Sequence, residues 1–250
     1  MPMKPNQSPA LLSPEVNEIL ARIAVRRPRI QCLTNTVAQN ITANALLAIG
    51  ADVSMAQHPA EIVTMSASAD ALLINLGTMD AAREAAIEAL LRTEITFKGP
   101  VVIDPVFADR SPLRLDLAKR LLRLPRVILK GNASEMAILA LLGDPGVIRV
   151  TTGAVDEVYG PSGTSSIASG HPLMARVTAT GCVAGAIIAA FASVTEDPAK
   201  AAVAALTCFG LAGEEAARRS SGPGSFLVHL LDVLAGFSDQ AVQIKALSNA

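Results

Sequence analysis

The chain has 250 residues, with 21 basic and 22 acidic side chains, a net charge of -1, 51% hydrophobic and 17% charged residues, and no tryptophan. Its mean hydropathy is +0.42 and its pI is near 6.3. A chain this apolar buries enough surface to offset the entropy of ordering, which excludes disorder. Its balanced charge lacks the cationic excess that neutralises nucleic-acid phosphates.

Residues 1–13 read as an N-terminal tail and residues 14–250 as a single domain, since no Gly/Ser-rich or charged linker and no repeat divides the chain. The tail holds no long apolar core, so it is not expected to be a secretory signal. Pro14 to Arg26 carries Val16, Ile19, Leu20, Ile23 and Ala24 at helical spacing, with Ser13 as cap and proline at the first helical position. Ile30 to Leu33 is a short strand, and Asn40 to Ile49 a helix closed by Gly50. Ala71 to Leu76 reads as a strand buried on both faces, followed by a turn at Gly77-Thr78 and a helix over Ala81–Leu91. Val101 to Asp104 is a second buried strand, left at Pro105. Leu115–Leu124 is helical, Val127–Leu129 a strand, Ser134–Leu142 a helix and Val147–Val150 a strand.

The positive hydropathy raises the question of a membrane span, which takes about 20 apolar residues. Between Arg176 and Glu196 the uncharged stretch opens with the small or polar residues Val177 to Cys182, and only Val183 to Val194 is a sustained apolar run. That suits a buried core helix. The run between Lys200 and Glu214 is too short to span. A soluble, cytoplasmic protein is expected, with its apolar surplus in a large interior and a subunit interface. Cys32, Cys182 and Cys208 form no disulfide framework and no zinc spacing, and His58, His171 and His229 are scattered.

Short apolar strands alternating with helices indicate an α/β fold with a parallel sheet covered on both faces. Ligands in such sheets bind beyond the carboxyl ends of the strands. Those ends are Thr34-Asn35, Asn75-Leu76-Gly77-Thr78, Asp104-Pro105, Lys130-Gly131-Asn132 and Thr151-Thr152-Gly153. All stop in polar or glycine residues, and their convergence on one edge points to a polar small-molecule site.

The sharpest local feature is Thr178-Ala179-Thr180-Gly181-Cys182, which opens the apolar helix. Unpaired N–H groups there, backed by the helix dipole, make an anion site suited to a terminal phosphate. The same dipole is expected to lower the Cys182 thiol pKa. The alternative is a tight strand-to-helix connection with a structural cysteine. Asp104 and Glu135, at adjacent strand ends, are candidates to hold Mg²⁺ directly or through water; alternatively Glu135 serves only its helix dipole. Lys130 stands between them in sequence as a point charge for nucleotide phosphates. No P-loop, dinucleotide fingerprint or nucleophile elbow is present, and Gly222-Pro223-Gly224 reads as a structural corner.

Taken in order, Leu33-Thr34-Asn35, the segment Asn44 to Ala51, Met55-Ala56, Asn75-Leu76-Gly77-Thr78, Asp104-Pro105-Val106, Gly131 to Glu135, Thr152-Gly153 with Asp156, Thr180-Gly181-Cys182 and Gly222 to Phe226 resemble hydroxyethylthiazole kinase from about residue 28 to 236. The resemblance implies a ribokinase-like three-layer α/β/α fold with a mostly parallel sheet, and a homotrimer with substrate bound between subunits. It implies phosphorylation of 4-methyl-5-(2-hydroxyethyl)thiazole with ATP and Mg²⁺ in thiamine biosynthesis. It places Met55, Ala179 and Asn35 with the thiazole, Lys130 and Thr152 with ATP, and Asp104 and Glu135 near the metal. Ala179, Thr180, Gly181 and Cys182 fall in the anion hole, and Cys182 where related sugar kinases carry an aspartate base. The chain departs from the family pattern at Gln31, Phe107, Lys130 and Ala179. A kinase of another small alcohol, or a non-catalytic ligand-binding homologue, remains open at this level.

Overall fold

The computed structural model describes residues 12–93, 97–139, 142 and 146–248. Six parallel strands, β1 (Arg29–Leu33), β2 (Asp52–Ser54), β3 (Ala71–Asn75), β4 (Val101–Asp104), β5 (Val127–Asn132) and β6 (Ile148–Thr152), are continued by an antiparallel hairpin of β7 (Asp156–Gly160) and β8 (Gly163–Ile167). They make one sheet in the order β2-β1-β3-β4-β5-β6-β7-β8. The helices are α1 (Pro14–Arg26), α2 (Gln39–Ala48), α3 (Ile62–Ala67), α4 (Ala81–Arg92), α5 (Pro112–Leu121), α6 (Ala133–Leu139), α7 (Thr180–Ser193), α8 (Pro198–Arg219) and α9 (Pro223–Ser248). A short 3-10 helix, Pro172–Arg176, precedes α7.

Two apolar cores fill the layers. Residues of α1, α2, α7, α8 and α9 cover one face of the sheet, and residues of α3 to α6 cover the other. The strands divide between them with the period of two that the pleat imposes. Leu73, Val102 and Ile128 face the first core, while Leu72, Ile74, Val101, Ile103 and Leu129 face the second. This parity positions the site: Asn75, Asp104, Lys130 and Thr152 fall in phase with Leu73, Val102, Ile128 and Val150, so their side chains turn toward α7. Gly185 lets α7 lie close to the sheet, since a Cβ there would stand 3.2 Å from Leu73 Cδ1.

Local chemistry explains the helix starts. Ser13, Asp80, Ser111 and Asp197 each accept a backbone N–H from the first turn of α1, α4, α5 and α8, a cap that contributes about 1 kcal/mol. The Ser111-Pro112 pair starts α5 a turn before the expected Leu115. β5 and β6 run on to Asn132 and Thr152, past the expected Leu129 and Val150, because ladder pairing between them continues through Gly131↔Thr151 and Asn132↔Thr152. α7 starts at Thr180, three residues ahead of its apolar run, and the 200–214 run belongs to the longer α8. The expected corner at Gly222-Pro223-Gly224 is instead the start of α9, with Pro223 in its first turn. Residues 140–141 of the helix expected over Ser134–Leu142 lie outside the described residues, as does most of the expected tail. β2, α3 and the β7–β8 hairpin had no sequence expectation. Among the described residues no helix is long and apolar enough to cross a membrane.

Candidate active site

The site is built where α7 begins over the carboxyl ends of β1, β3, β4, β5 and β6. Ala179 is the N-cap of α7, with φ 70 and ψ 0, and no side chain caps the helix. The N–H groups of Thr180, Gly181 and Cys182 therefore open the helix as free donors with the positive end of its dipole behind them. Thr180 instead ties the turn down: its Oγ1 donates toward Met174 O at 2.8 Å and Val177 O at 3.2 Å. Phe107, another departure from the family pattern, is likewise left-handed at φ 61.

Beneath this helix end lies a polar network. Asn35 Nδ2 and Asn75 Nδ2 donate to Cys182 Sγ at 3.2 and 3.3 Å. Asn75 Nδ2 also donates to Asp104 Oδ2 at 2.8 Å, and Asn35 Nδ2 to Asn75 Oδ1 at 3.0 Å. The backbone fixes both amide orientations, since Ala38 N donates to Asn35 Oδ1 and Gly77 N to Asn75 Oδ1, each at 3.0 Å. A backbone N–H can only donate, so the atom it meets must be the oxygen. Gly77 is needed for this approach: a Cβ there would stand 3.0 Å from both Asn35 Nδ2 and Asn75 Oδ1.

Lys130 closes the network. Its ammonium lies 3.3 Å from Asp104 Oδ2 and donates to Gly181 O at 2.9 Å. Burial works against the charge on Lys130, but Asp104, Cys182 and Glu135 outweigh it and push the pKa up. Burial pushes the Asp104 carboxyl up, with Lys130 opposing and Glu135 adding. For Cys182 the sequence expectation is corrected. Burial raises the thiol above its usual range and Asp104 adds to this, while Lys130 and the two asparagines only partly oppose.

Glu135 is buried and joins two loops: Oε1 accepts from Phe107 N and Oε2 from Asn132 N, both at 2.9 Å. Each oxygen retains a lone pair, and the carboxylate sits in the first turn of α6. Among the described residues no group of three or more His, Cys, Asp or Glu side chains could hold a metal by itself.

Beside the helix end opens a cleft of about 600 Å³, walled by Thr152, Gly153 and Asp156 on one side and Leu206, Phe209 and Gly210 of α8 on another. That volume lies within the usual range for small-molecule sites. Thr152 Oγ1 donates to Gly131 O at 3.3 Å. The segment from Ser169 to Met174 presses onto α8 because Gly210 and Gly213 have no side chains; a Cβ at Gly210 would fall 2.2 Å from Ser169 Oγ.

The fold thus brings Asn35, Asp104, Lys130, Ala179, Thr180, Gly181 and Cys182 together, with Thr152 in the adjoining cleft and Glu135 behind. Met55 stands apart. It follows β2 at the sheet edge and packs, half-buried, against the core on the α7 face. Gln31, fully buried, anchors that segment by donating to Ala56 O at 2.8 Å. Sequence reasoning did not assign roles to Asn75, the hub of the network, or to Arg83 behind it. Strand parity would have found the first, and a charged residue on the apolar stripe of α4 the second.

A mostly parallel three-layer α/β/α sheet, with an uncapped helix end over its carboxyl edge, defines a ribokinase-like protein. The structure of a ribokinase-like superfamily protein from Enterococcus faecalis agrees in fold, with a TM-score of 0.67 at 16% identity over 97% of this chain and 100% of that one. The structure of hydroxyethylthiazole kinase protein from Pyrococcus horikoshii OT3 is more similar, with a TM-score of 0.82 and 36% identity over 91% of this chain and 95% of that one. A probable hydroxyethylthiazole kinase from Agrobacterium fabrum is 42% identical over 226 residues, covering 90% of this chain and 91% of its own. A hydroxyethylthiazole kinase from Granulibacter bethesdensis is 40% identical, covering 91% and 92%. The family model for hydroxyethylthiazole kinases matches residues 20–149 and 141–240. This chain belongs to the hydroxyethylthiazole kinase family.

Proposed function

We propose that the chain transfers the γ-phosphoryl group of ATP to the primary hydroxyl of 4-methyl-5-(2-hydroxyethyl)thiazole in thiamine biosynthesis or salvage. One observation carries the chemistry: a cysteine thiol, three uncapped amides and a buried ammonium meet at one helix end, beside a cleft of nucleotide size. The relatives' shared name supplies the acceptor, and favours it over another alcohol or a non-catalytic binder.

In this reading the cleft between β6 and α8 takes the nucleotide, with Thr152 at its wall. The amides of Thr180, Gly181 and Cys182 face the transferring phosphoryl oxygens, where charge gathers in the transition state. Lys130 supplies a point charge beside them. Asn35 and Asn75 donate to two lone pairs of the Cys182 sulfur, which in the thiolate leaves a third for the proton of the acceptor hydroxyl. Only the thiolate form can take the alcohol proton, and burial keeps that form scarce, so positioning carries most of the rate.

Mg²⁺ fits the donor set. Asp104 and Glu135 offer hard carboxylate oxygens close enough to feel each other's charge, and the nucleotide brings the rest of the coordination. Held there, the ion would supply charge neutralisation to the nucleotide phosphates. Met55 contacts the thiazole at a site completed by a neighbouring subunit of a homotrimer, which its place at the open sheet edge supports. The reading places the protein in the cytoplasm, where ATP is available and three free cysteines are stable.

A coupled assay with ATP, Mg²⁺ and the thiazole alcohol tests the whole. The expected result is stoichiometric ADP and thiazole phosphate. Tight binding of the alcohol without product overturns the enzyme in favour of a binder. A solution mass of one chain overturns the shared site.

A further inference from the structure

We propose that Arg83 is a positioning residue for the active site: its guanidinium holds the β3–α4 turn in the shape that aims the Asn75 side chain at Cys182 and Asp104.

Arg83 is 1% exposed and heads the fully buried side chains ranked by volume. It occupies the apolar stripe of α4 with Ala86, Ile87 and Leu90, where leucine or methionine would pack without desolvating a charge. Taking a cation out of water is costly unless something compensates. The usual compensation is only partial: among the described residues no carboxylate forms an ion pair with it, the charge of Asp80 offsets its burial incompletely, and its Nε lacks a hydrogen-bond partner. What it has instead are the carbonyls of one turn. Its two terminal nitrogens donate to Asn75 O, Gly77 O and, at 3.0 Å, Thr78 O.

That turn cannot hold its shape cheaply alone. Thr78 is left-handed, with φ 46, a conformation that costs a non-glycine residue about 1 kcal/mol. Gly77 packs against the Asn35 and Asn75 amides. The residue whose carbonyl Arg83 grips, Asn75, is the one whose amide reaches both Cys182 Sγ and Asp104 Oδ2. A planar fork meets several carbonyls at once, which a lysine ammonium on a flexible stem does not. Arg83 touches none of the reacting atoms. It acts through Asn75, and its catalytic consequence rests on the kinase reading above.

The test is a double-mutant cycle of Arg83→Lys and Asn75→Ala, read in two ways. The first is the rate at which iodoacetamide alkylates Cys182 in the native protein; Cys32 and Cys208, buried and pushed up to about 12, stay silent, which Cys182→Ala verifies. Losing one N–H donor to sulfur removes a charge-assisted bond to the reactive thiolate, so Arg83→Lys is expected to slow alkylation roughly tenfold. It should have no further effect once Asn75 is alanine. The second readout is steady-state kinetics: kcat falls about tenfold with the KM for ATP within twofold, because the nucleotide cleft stands on other elements. Equal slowing by Arg83→Lys in both backgrounds overturns the proposal. So does a lower melting temperature with alkylation and kcat unchanged, the outcome of a merely structural staple. Arg83→Gln, a neutral side chain that keeps two N–H donors on a shorter stem, decides the same cycle should the lysine variant not fold. The alkylation cycle stands even if no phosphoryl transfer is found, so the two readings fail separately.

Discussion

Lys130 and Asp104 form a buried ion pair across adjacent strands, Nζ to Oδ2 at 3.3 Å, with side chains 5% and 3% exposed. Neither charge is tolerable alone at that depth, and the pair stays because Gly181 O and Asn75 Nδ2 satisfy the remaining groups. Lys130→Met strands the carboxylate and should cost about 3 kcal/mol or more. The pKa of Asp104 is raised from 3.8 even in the native protein. A raised carboxyl favours the fold below its unfolded pKa and loses that contribution as pH rises through the folded value. The deficit of the variant should therefore shrink on acidification toward about pH 4, measured by urea unfolding of both proteins. A deficit that is flat with pH would contradict the pairing.

Cys182 should behave as a reluctant thiol. Burial and Asp104 hold its pKa above the reference 9.0, so the thiolate is scarce at neutrality and grows only at alkaline pH. Its alkylation rate is expected to climb beyond about pH 9. A plateau reached by about pH 8 would show that the helix end wins over desolvation.

Cys182→Ala should lower kcat on the order of a hundredfold, the lower range for a positioned proton acceptor, while thiazole affinity holds. Turnover equal to wild type would remove the sulfur from the mechanism.

Ala179 carries a methyl group in left-handed backbone at the mouth of the amide cluster. Ala179→Gly relieves about 1 kcal/mol of strain against a somewhat smaller gain in unfolded-state entropy. The expected outcome is stability unchanged or raised by up to about 1 kcal/mol in denaturant unfolding. A clear loss would mean the methyl makes a contact worth more than its strain.

Gly210→Ala drives a Cβ into Ser169, whose Oγ and O lie 2.2 and 2.7 Å from that position. Helix propensity favours alanine by about 1 kcal/mol, but overpacking against backbone costs more, typically 1–3 kcal/mol. The wall of the cleft must shift, so the KM for ATP should rise at least threefold with kcat little changed. An unaltered KM would detach this wall from nucleotide binding.

The layers of the fold were legible because strands buried on both faces must be continuously apolar and α4 must carry a stripe. Ala71–Asn75 and Val101–Asp104 show the first, Ala86–Ile87–Leu90 the second. The edge strand β2 and the hairpin β7–β8 were not, since residues 52–54 are half-exposed and residues 163–166 exposed, and they carry little apolar pattern. Ser13, as a cap, acts within one turn and was read from the sequence, whereas the cap at Ser111 was missed because residues 112–114 carry no apolar stripe ahead of Leu115.

By itself the sequence determined where the buried parallel strands lie and where a small-residue helix start would follow, since periodicity and capping are local. Only the tertiary structure decided that Asn75 joins Cys182 to Asp104, that Arg83 stands behind it, and that Cys182 is a raised rather than a lowered thiol. Proton affinity and side-chain reach depend on burial and on charges contributed from distant parts of the chain, here β1, β3, β4 and β5 meeting under α7.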